Sequence, residues 1–394
     1  MMTDQINKTK EVILNTYSKF PVVFEKGEGN YLIDTDGNKY LDFVAGIAVN
    51  AFGYKNEDIS NAINEVVQNG VLHTSNLYWH PYELKAASKL IELSKLKKAF
   101  YCNSGAEANE AALKLARKFG SKDNRYKIIS MEHSFHGRTY GAVTATGQDK
   151  YHKNFFPLLE GIEYATFNDL ESVEKLIDDK CCAIIVEPLQ GEGGIIPATQ
   201  EFLSGLRELS DKHNLLLIFD EVQCGMGRCG KPFCHQLYGV KPDVLTLAKA
   251  LGGGIPCGAM VVGEKCEDVF APGDHASTFG GNLVALNVSS VVLEKLANED
   301  FMNSVSEKGK LLTEGLNKLI EKYPDKLVST RGLGLMQGLI VKCNPVDIIN
   351  ACLKEKLLVV RAASDVVRFV PPLTIQKDEI IKMLKILDNV IDKL

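Results

Sequence analysis

The hydrophobic residues of the chain follow two alternating patterns between about residues 57 and 295. Some stretches have apolar residues at i, i+3, i+4 and i+7, which is typical of amphipathic helices. Short runs that are rich in apolar residues lie between these stretches. The runs have the length of buried strands and fall at 127–130, 182–186, 215–219, 244–247 and 259–262. Strands that alternate with helices predict a mainly parallel sheet with helices on both faces, which is the α/β class.

The N-terminal part of the chain has a different pattern. Residues 30–34 and 40–44 are predicted to form two strands, and Asp36-Gly37 is a turn signal between them. A helical pattern begins near residue 57 and ends at Gly70, because glycine commonly terminates helices. We therefore predict a hairpin-like segment that precedes the alternating region.

The C-terminal part of the chain also differs from the middle. Amphipathic helices are predicted around 308–321 and 378–394, with strand-like pieces such as 366–370 between them. This mixture predicts a second, smaller α+β domain. The predicted division of the chain is an N-terminal segment that joins the small domain (1–56), a large cofactor-binding domain (57–295) and a C-terminal small domain (296–394).

Composition narrows the class of protein. A net charge of −5 without a basic stripe argues against nucleic acid as the main partner. No apolar run approaches the roughly 20 residues that a membrane span needs. Residues 1–10 are polar and show no signal-peptide pattern, so we predict a cytoplasmic protein without a membrane partner.

The ten cysteines are few for a long chain without a secretory signal, so reduced thiols are expected. Cys224, Cys229 and Cys234 recur every five residues, and His235 follows the last of them. Structural zinc sites usually pair their ligands at shorter spacing and place a second pair at a distance. This spacing does not fit, and we predict no metal site.

Lys249 is the first candidate for chemistry. It lies just past the carboxyl end of the predicted buried strand 244–247 and shortly before three consecutive glycines, 252–254. Ligands of open α/β sheets bind at the carboxyl ends of the strands. A poorly solvated lysine there would lose its proton easily and become a nucleophile for carbonyl groups. A lysine that only extends from the sheet rim into solvent is the alternative.

Two other strand ends carry candidate groups. Asp220 ends an apolar run, and a carboxylate there needs a partner, which could be a protonated pyridine nitrogen, an arginine or a helix cap. Ser104 and Glu107 match the capping box S-x-x-E at a predicted helix start, where Gly105 would let a phosphate approach the backbone. Caps of this kind are common, so neither motif decides the function alone.

The glycine-rich stretch 225–230 supplies an alternative function. It matches G-x-G-x-x-G, the dinucleotide fingerprint, and would fit an NAD-dependent dehydrogenase. The fingerprint should follow its strand directly and open a helix, yet residues 220–223 intervene. With Lys231 the stretch also matches a phosphate-binding loop, but Pro232 supplies neither the hydroxyl nor the N–H group that such a loop needs. We therefore keep the dehydrogenase only as the second choice.

Six segments, in order and spacing, resemble the class III pyridoxal-phosphate aminotransferases. The resemblance covers nearly the whole chain and implies a fold type I enzyme, normally a homodimer with active sites shared at the subunit interface. It implies transfer of the δ-amino group of N2-acetyl-L-ornithine to 2-oxoglutarate, which gives N-acetyl-L-glutamate 5-semialdehyde and L-glutamate in arginine biosynthesis. The segments are 103–112, 134–139, 187–194, 219–223, 248–254 and 277–282.

The resemblance also implies a cofactor site for pyridoxal 5'-phosphate. Lys249 would hold the cofactor covalently and move the substrate proton, while Asp220 would keep its pyridine nitrogen protonated. Phe135 and Val222 would cover the two faces of the ring, and Thr278 would reach the phosphate bound in the neighbouring subunit. The other residues implied as cofactor contacts are Ser104, Gly105, Ala106, Glu221 and Gln223.

Substrate contacts are implied in the same way. Arg138 and Arg368 correspond to carboxylate clamps, a role that suits the bidentate guanidinium group. Glu192 corresponds to a switch that pairs with Arg368 when the amino donor is an ω-amine, and Ser277 would lie beside the substrate. Donors such as ornithine, succinylornithine or 4-aminobutyrate, an added role in lysine biosynthesis, and a non-catalytic pyridoxal-phosphate protein remain alternatives. The chain departs from the family pattern at Cys224, Cys229, Cys257, Ala276 and Leu283.

Overall fold

The computed structural model describes residues 2–394. The strands are β1 (Phe24–Glu28), β2 (Tyr31–Asp34), β3 (Lys39–Asp42), β4 (Lys98–Cys102), β5 (Lys127–Met131), β6 (Ile162–Ala165), β7 (Cys181–Val186), β8 (Leu189–Gln190), β9 (Ile196–Pro197), β10 (Leu216–Asp220), β11 (Val244–Leu247), β12 (Gly258–Val262), β13 (Leu327–Leu333), β14 (Met336–Val341), β15 (Leu357–Leu358), β16 (Val360–Ala362) and β17 (Val366–Phe369). The helices are α1 (Met2–Val12), the single left-handed turn α2 (Ala45–Ala48), α3 (Glu57–Gln68), α4 (Pro81–Ser94), α5 (Gly105–Gly120), α6 (Tyr140–Ala145), α7 (Asp149–His152), α8 (Leu170–Glu174), α9 (Gln200–Lys212), α10 (Leu283–Leu296), α11 (Glu299–Lys322), α12 (Pro345–Lys354) and α13 (Lys377–Lys393). Short 3₁₀ turns lie at Ser121–Asp123, Cys234–Leu237 and Lys249–Gly252.

The central sheet has seven strands in the order β4-β12-β11-β10-β7-β5-β6. The pairs β11–β10, β10–β7, β7–β5 and β5–β6 are parallel, whereas β12 runs antiparallel to both of its neighbours. The predicted α/β fold with a mainly parallel sheet is confirmed. The direction of β12 was not predictable, because an apolar run does not reveal which way its strand points.

Helices cover both faces of this sheet. Alternate side chains of a strand point to opposite faces, and in β10 the side chains of Leu217 and Phe219 join one core cluster while those of Leu216 and Ile218 join another. Helix α5 contributes to the second cluster, and α9 and α10 contribute to the first. Burial on both sides explains why these strands are continuously apolar.

Besides the two-stranded sheet β8-β9, two four-stranded sheets lie outside the central one. Their orders are β1-β2-β3-β15 and β13-β14-β17-β16. In the first, β3 pairs in parallel with β15, with Leu41 opposite Leu357, so the N-terminal strands share a sheet with a strand from the C-terminal region. The domain boundaries at residues 56 and 295 stay a prediction.

Some elements differ from those predicted. Strand β1 and helix α1 were not predicted, because short polar sequences have no apolar period. Helix α11 begins at Glu299 rather than near 308, because the side chain of Asn298 caps it by accepting a hydrogen bond from the Phe301 N–H at 2.9 Å. All ten cysteines are free, and nine are buried. No helix between residues 2 and 394 is long and apolar enough to cross a membrane.

Candidate active site

A cavity of roughly 450 Å³ opens at the carboxyl ends of β10 and β11, beside the start of helix α5. Parallel strands bring their last residues to one edge of the sheet, which is where ligands of such sheets bind. The predicted site residues that line this cavity are Ser104, Gly105, Ala106, Phe135, Arg138, Asp220, Val222, Gln223 and Lys249.

Lys249 begins the 3₁₀ turn that follows β11, and its backbone is left-handed with φ of 49°. Burial lowers the pKa of its amine to about 8; the charge of Glu192 opposes this shift, and that of Arg368 adds to it. With such a pKa, about one amine in ten is neutral at pH 7, against about four in ten thousand for an ordinary lysine. The neutral amine is the nucleophilic form that the prediction required.

Asp220 is held rigidly at the end of β10, where it is 2% exposed. One carboxylate oxygen accepts from Asn109 Nδ2 at 2.7 Å and lies 2.7 Å from His136 Nδ1, and the other accepts from the Val222 N–H at 2.9 Å. The hydroxyl of Thr246 donates to Asn109 Oδ1 at 2.7 Å. Asn109 and His136 were not predicted as site residues, although both lie in segments that carry the family resemblance.

Helix α5 presents its N-terminus to the cavity. Ser104 Oγ accepts from the Glu107 N–H at 3.2 Å, as the capping box predicts. The reciprocal bond differs, because Glu107 Oε2 accepts from the Asn103 N–H at 2.7 Å instead of from Ser104. The N–H groups of Gly105 and Ala106 have no carbonyl partner within the first turn of their helix. A Cβ atom at Gly105 would lie 2.6 Å from Val222 Cγ1, so only glycine fits there.

Glu187 is a second acid of the cavity that the sequence analysis left without a role. Its carboxylate accepts from the Phe135 N–H at 3.0 Å and from the Gly191 N–H at 3.2 Å. Burial raises the pKa of Glu187 to about 7; His136 opposes this shift and Asp220 reinforces it. Glu187 therefore fixes the loop that carries Phe135 and titrates near neutral pH.

Arg368 lies in β17 and is 1% exposed. Its guanidinium forms an ion pair with the carboxylate of Glu192 and donates to Gln223 Oε1 at 2.9 Å. Gln223 Nε2 also donates to Glu192 at 3.3 Å, so the three side chains form one network. Burial alone would raise the pKa of Glu192, but the charge and hydrogen bond of Arg368 outweigh it and lower the pKa. The structure thus brings together the two residues that the switch requires.

Arg138, Ser277 and Thr278 occupy the outer part of the site. Arg138 is exposed at the mouth of the cavity. Ser277 and Thr278 line a neighbouring pocket of roughly 370 Å³, and Thr278 is exposed. Asn103 lines both spaces and donates from Nδ2 to Ser277 Oγ at 3.0 Å. Thr278 therefore does not face the cavity of its own chain.

Glu221 is the predicted cofactor contact beside Asp220 that does not line the cavity. It is fully buried outside the cavity, where its carboxylate accepts from the His235 N–H at 2.7 Å and lies 2.8 Å from His235 Nδ1. Its side chain departs from that of Asp220 because neighbouring residues of an extended chain point to opposite sides. Glu221 instead holds the 3₁₀ turn Cys234–Leu237 in place.

The glycine stretch 225–230 does not form a dinucleotide site. The loop is buried, no helix opens directly after it, and Arg228 within it donates to the carbonyl oxygens of Leu335 and Pro371. The dehydrogenase alternative lacks the exposed helix N-terminus that it needs. Within residues 2–394, no three His, Cys, Asp or Glu side chains are arranged to hold a metal ion.

Comparison with known proteins shows the family to which the chain belongs. The family described as Aminotransferase class-III matches residues 12–391. The acetylornithine aminotransferase of Clostridium acetobutylicum is 47% identical over 97% of this chain and 99% of its own length. Among solved structures, the N-acetylornithine aminotransferase of Stenotrophomonas maltophilia K279a is 36% identical with a TM-score of 0.83, covering 98% of each chain.

A second solved structure connects this fold to the expected cofactor. The ornithine aminotransferase of Toxoplasma gondii, described with partial occupancy of PLP at its active site, is 28% identical with a TM-score of 0.95. It covers 100% of this chain and 94% of that one. The family match spans almost the whole sequence, as the six segments predicted. The chain belongs to the class III aminotransferase family.

Proposed function

We propose that this protein is a pyridoxal-phosphate-dependent aminotransferase that moves the δ-amino group of N2-acetyl-L-ornithine to 2-oxoglutarate. The observation that carries the proposal is one cavity in which Lys249, Asp220 and the start of helix α5 converge. The relatives most similar in sequence bear the name of that activity, which supports the choice of substrate.

The cavity fits pyridoxal 5'-phosphate group by group. An aldehyde needs an amine, which Lys249 offers in a readily deprotonated form. A pyridinium nitrogen needs a fixed carboxylate, and Asp220 is held by hydrogen bonds within the same lining. A phosphate needs free N–H groups, which Gly105 and Ala106 supply at a helix N-terminus. When bound, the cofactor supplies an electron sink for the loss of a substrate proton.

The chain's own residues prepare this chemistry. The Lys249 amine, once free of its proton, can accept a proton at Nζ and return it elsewhere on the substrate. Asp220 stabilises a positive charge opposite its carboxylate, and Asn109 and His136 fix that carboxylate in direction. The pKa of the neighbouring Glu187 is raised, so part of its carboxyl groups are protonated at neutral pH. The negative charge buried around Asp220 is therefore smaller than that of two ionised carboxylates.

The substrate-binding residues must bring two different amines, the δ-amine of one substrate and the α-amine of the other, to the same reacting position. N-acetylornithine reacts at its δ-amine and glutamate at its α-amine, so a second carboxylate lies near the reacting amine only in glutamate. We assign Arg138 to the carboxylate distant from the reacting amine and Arg368 to the α-carboxylate of glutamate. Glu192 neutralises Arg368 when N-acetylornithine is bound and moves away for glutamate.

A donor screen tests the choice of substrate. The cofactor-loaded protein is mixed separately with N-acetylornithine, succinylornithine, ornithine and 4-aminobutyrate, and the first half-reaction is followed by absorbance. N-acetylornithine should give the highest kcat/KM. A clear preference for ornithine or 4-aminobutyrate would overturn the substrate while leaving the aminotransferase class untouched.

We also propose that the working unit is a homodimer. Several large apolar side chains near the site are exposed in the single chain, with Trp79 at 94%, Leu77 at 84% and Phe279 at 60%. Apolar clusters of this kind usually mark an interface. A second copy that covers them would bring Thr278 towards the phosphate in the partner's cavity. The cytoplasm stays the predicted location.

A further inference from the structure

Arg138 is the one arginine of the proposed substrate clamp that forms no ion pair with an acidic side chain in the described part of the chain. Arg368 is buried and paired with Glu192, whereas Arg138 is exposed. Among residues 2–394, no carboxylate lies within ion-pair distance of Arg138. A long, exposed arginine has about 2 kcal/mol of rotamer entropy to lose on binding. Something else must hold its guanidinium towards the cavity.

Two aromatic rings lie where such a support is needed. The guanidinium carbon of Arg138 lies 4.1 Å from the ring centre of Tyr151 and 5.6 Å from that of Phe135. The two rings meet edge to face, with centres 5.5 Å apart and an angle of 73° between their planes. Both distances fall within the range of cation–π attraction. Phe135 lines the cavity, but Tyr151 does not, so Tyr151 supports Arg138 from behind.

The short helix α7 that carries Tyr151 is itself fixed. The preceding Gln148 donates from Nε2 to the Ser134 carbonyl at 2.9 Å, and the Tyr151 N–H donates to the Gln148 carbonyl at 3.0 Å. The ring of the next residue, His152, lies with Nε2 2.9 Å from the Val143 carbonyl. The backbone that carries Tyr151 is therefore fixed on both sides of this residue.

We infer that Tyr151 is a positioning residue for substrate binding. Its ring holds the guanidinium of Arg138 at the mouth of the cavity, ready for the distant carboxylate of each substrate, and this role rests on the proposed function. The phenol hydroxyl takes no part, so a phenylalanine would serve as well. Dicarboxylates and N-acylated diamino acids, which all carry a carboxylate far from the reacting carbon, are the substrate class that benefits.

The test is a titration with glutarate, a dicarboxylate that cannot react. Binding to the cofactor-loaded protein is measured by calorimetry for the parent, Tyr151→Leu and Tyr151→Phe. Tyr151→Leu should raise the Kd about 5- to 30-fold, which corresponds to a partly exposed cation–π contact. Tyr151→Phe should stay within about twofold of the parent, because the ring remains. In steady state, Tyr151→Leu should raise KM for N-acetylornithine and 2-oxoglutarate similarly and leave kcat nearly unchanged.

A double-mutant cycle separates positioning from general damage. In an Arg138→Met background, Tyr151→Leu should weaken glutarate binding no further. Lys150→Met is the matched control: Lys150 lies 4.8 Å from the same ring, but it does not line the cavity, so its removal should leave the Kd unchanged.

Three results would overturn the inference. They are an unchanged Kd in Tyr151→Leu, an equal loss in Tyr151→Phe, and a further loss on top of Arg138→Met. If the protein transfers no amino group at all, the proposed function fails, yet the glutarate cycle still reports whether Tyr151 positions Arg138. The two failures are therefore distinguishable.

Discussion

At the scale of single residues, the buried pair Arg368 and Glu192 carries the argument about specificity. A buried guanidinium without a counter-charge is costly, and removing one partner of a buried pair typically costs 3–5 kcal/mol. Arg368 is 1% exposed, so its charge must be balanced by Glu192 or by a substrate carboxylate. Gln223 contacts both and keeps them in register.

We predict that Glu192→Gln separates the two half-reactions. N-acetylornithine should react about 10- to 100-fold more slowly, because one charge-assisted hydrogen bond is worth about 1.5–3 kcal/mol. Glutamate should react at least as fast as with the parent, since Arg368 is then free for its α-carboxylate. Stopped-flow measurement of each half-reaction decides, with Glu201→Gln, an exposed carboxylate on α9, as control. Equal slowing with both donors would rule out the switch.

A second prediction concerns the pKa of Lys249. In cofactor-free protein, its reductive methylation should rise with pH around a midpoint near 8, because burial lowers the pKa of the amine. Exposed lysines of the same sample should follow the ordinary midpoint near about 10.4. Peptide mass spectrometry across a pH series measures both at once. A Lys249 midpoint that coincides with those of the exposed lysines would contradict a desolvated nucleophile.

The positions of single site residues were predictable where those residues belong to a recognisable sequence motif. Lys249, Asp220 and Gly105 stand at strand ends or a helix start, and those positions can be located from the sequence. Asn109 and His136 were missed as partners of Asp220, and Glu187 as a partner of the Phe135 loop, because these contacts join segments far apart in the chain. The hydrogen bond between Glu221 and His235 was not predictable, because a motif does not tell on which side of the backbone a side chain lies.

At the scale of elements, the N-terminus of helix α5 forms the proposed phosphate-binding site. Its cap, Ser104, stabilises the first turn, and Gly105 allows that turn to approach Val222. Helix α9 has a comparable cap far from the cavity, where Thr199 Oγ1 accepts from the Phe202 N–H at 3.1 Å. The two caps therefore allow helix stability and cofactor binding to be separated.

We predict that Ser104→Ala and Thr199→Ala each lower the free energy of unfolding by about 0.5–2 kcal/mol, because each removes one N-cap. Only Ser104→Ala should also weaken binding of pyridoxal phosphate. Urea unfolding of cofactor-free protein and a cofactor titration measure the two effects. Equal loss of cofactor affinity in both variants would show that α5 has no special role in holding the phosphate.

The type of most central elements could be predicted from the sequence, but their boundaries and pairing only in part. The runs at β7, β10 and β11 are buried on both faces and are therefore continuously apolar. Strand order depends on contacts across the whole domain, and the reversal of β12 has no local signal. The joining of β3 to β15 is likewise a long-range pairing that no motif announces.

At the scale of the whole molecule, the central question is the second copy of the chain. The exposed apolar side chains of Leu77, Tyr78 and Trp79 precede α4, and Phe279 lies next to Thr278. Their exposure in one chain is unfavourable unless another surface covers them. The sequence predicted such a partner only through the family resemblance, because an interface leaves no periodic pattern.

We predict a dimer by light scattering, with cofactor affinity that depends on assembly. Trp79→Ser should shift the protein towards monomer and weaken cofactor binding together. Thr278→Ala should keep the dimer but raise the cofactor concentration needed for activity about 10- to 150-fold, because one charge-assisted hydrogen bond worth about 1.5–3 kcal/mol is lost. A fully active monomer would contradict shared active sites.

The most direct test of the account is a single turnover with one donor. Cofactor-loaded protein is mixed with N-acetylornithine in the absence of any acceptor, and the products are identified by mass spectrometry. We predict one N-acetylglutamate 5-semialdehyde per subunit, a matching change in the absorbance of the bound cofactor, and neither signal with Lys249→Ala. Formation of no semialdehyde by the parent, or an equal yield from Lys249→Ala, would contradict it.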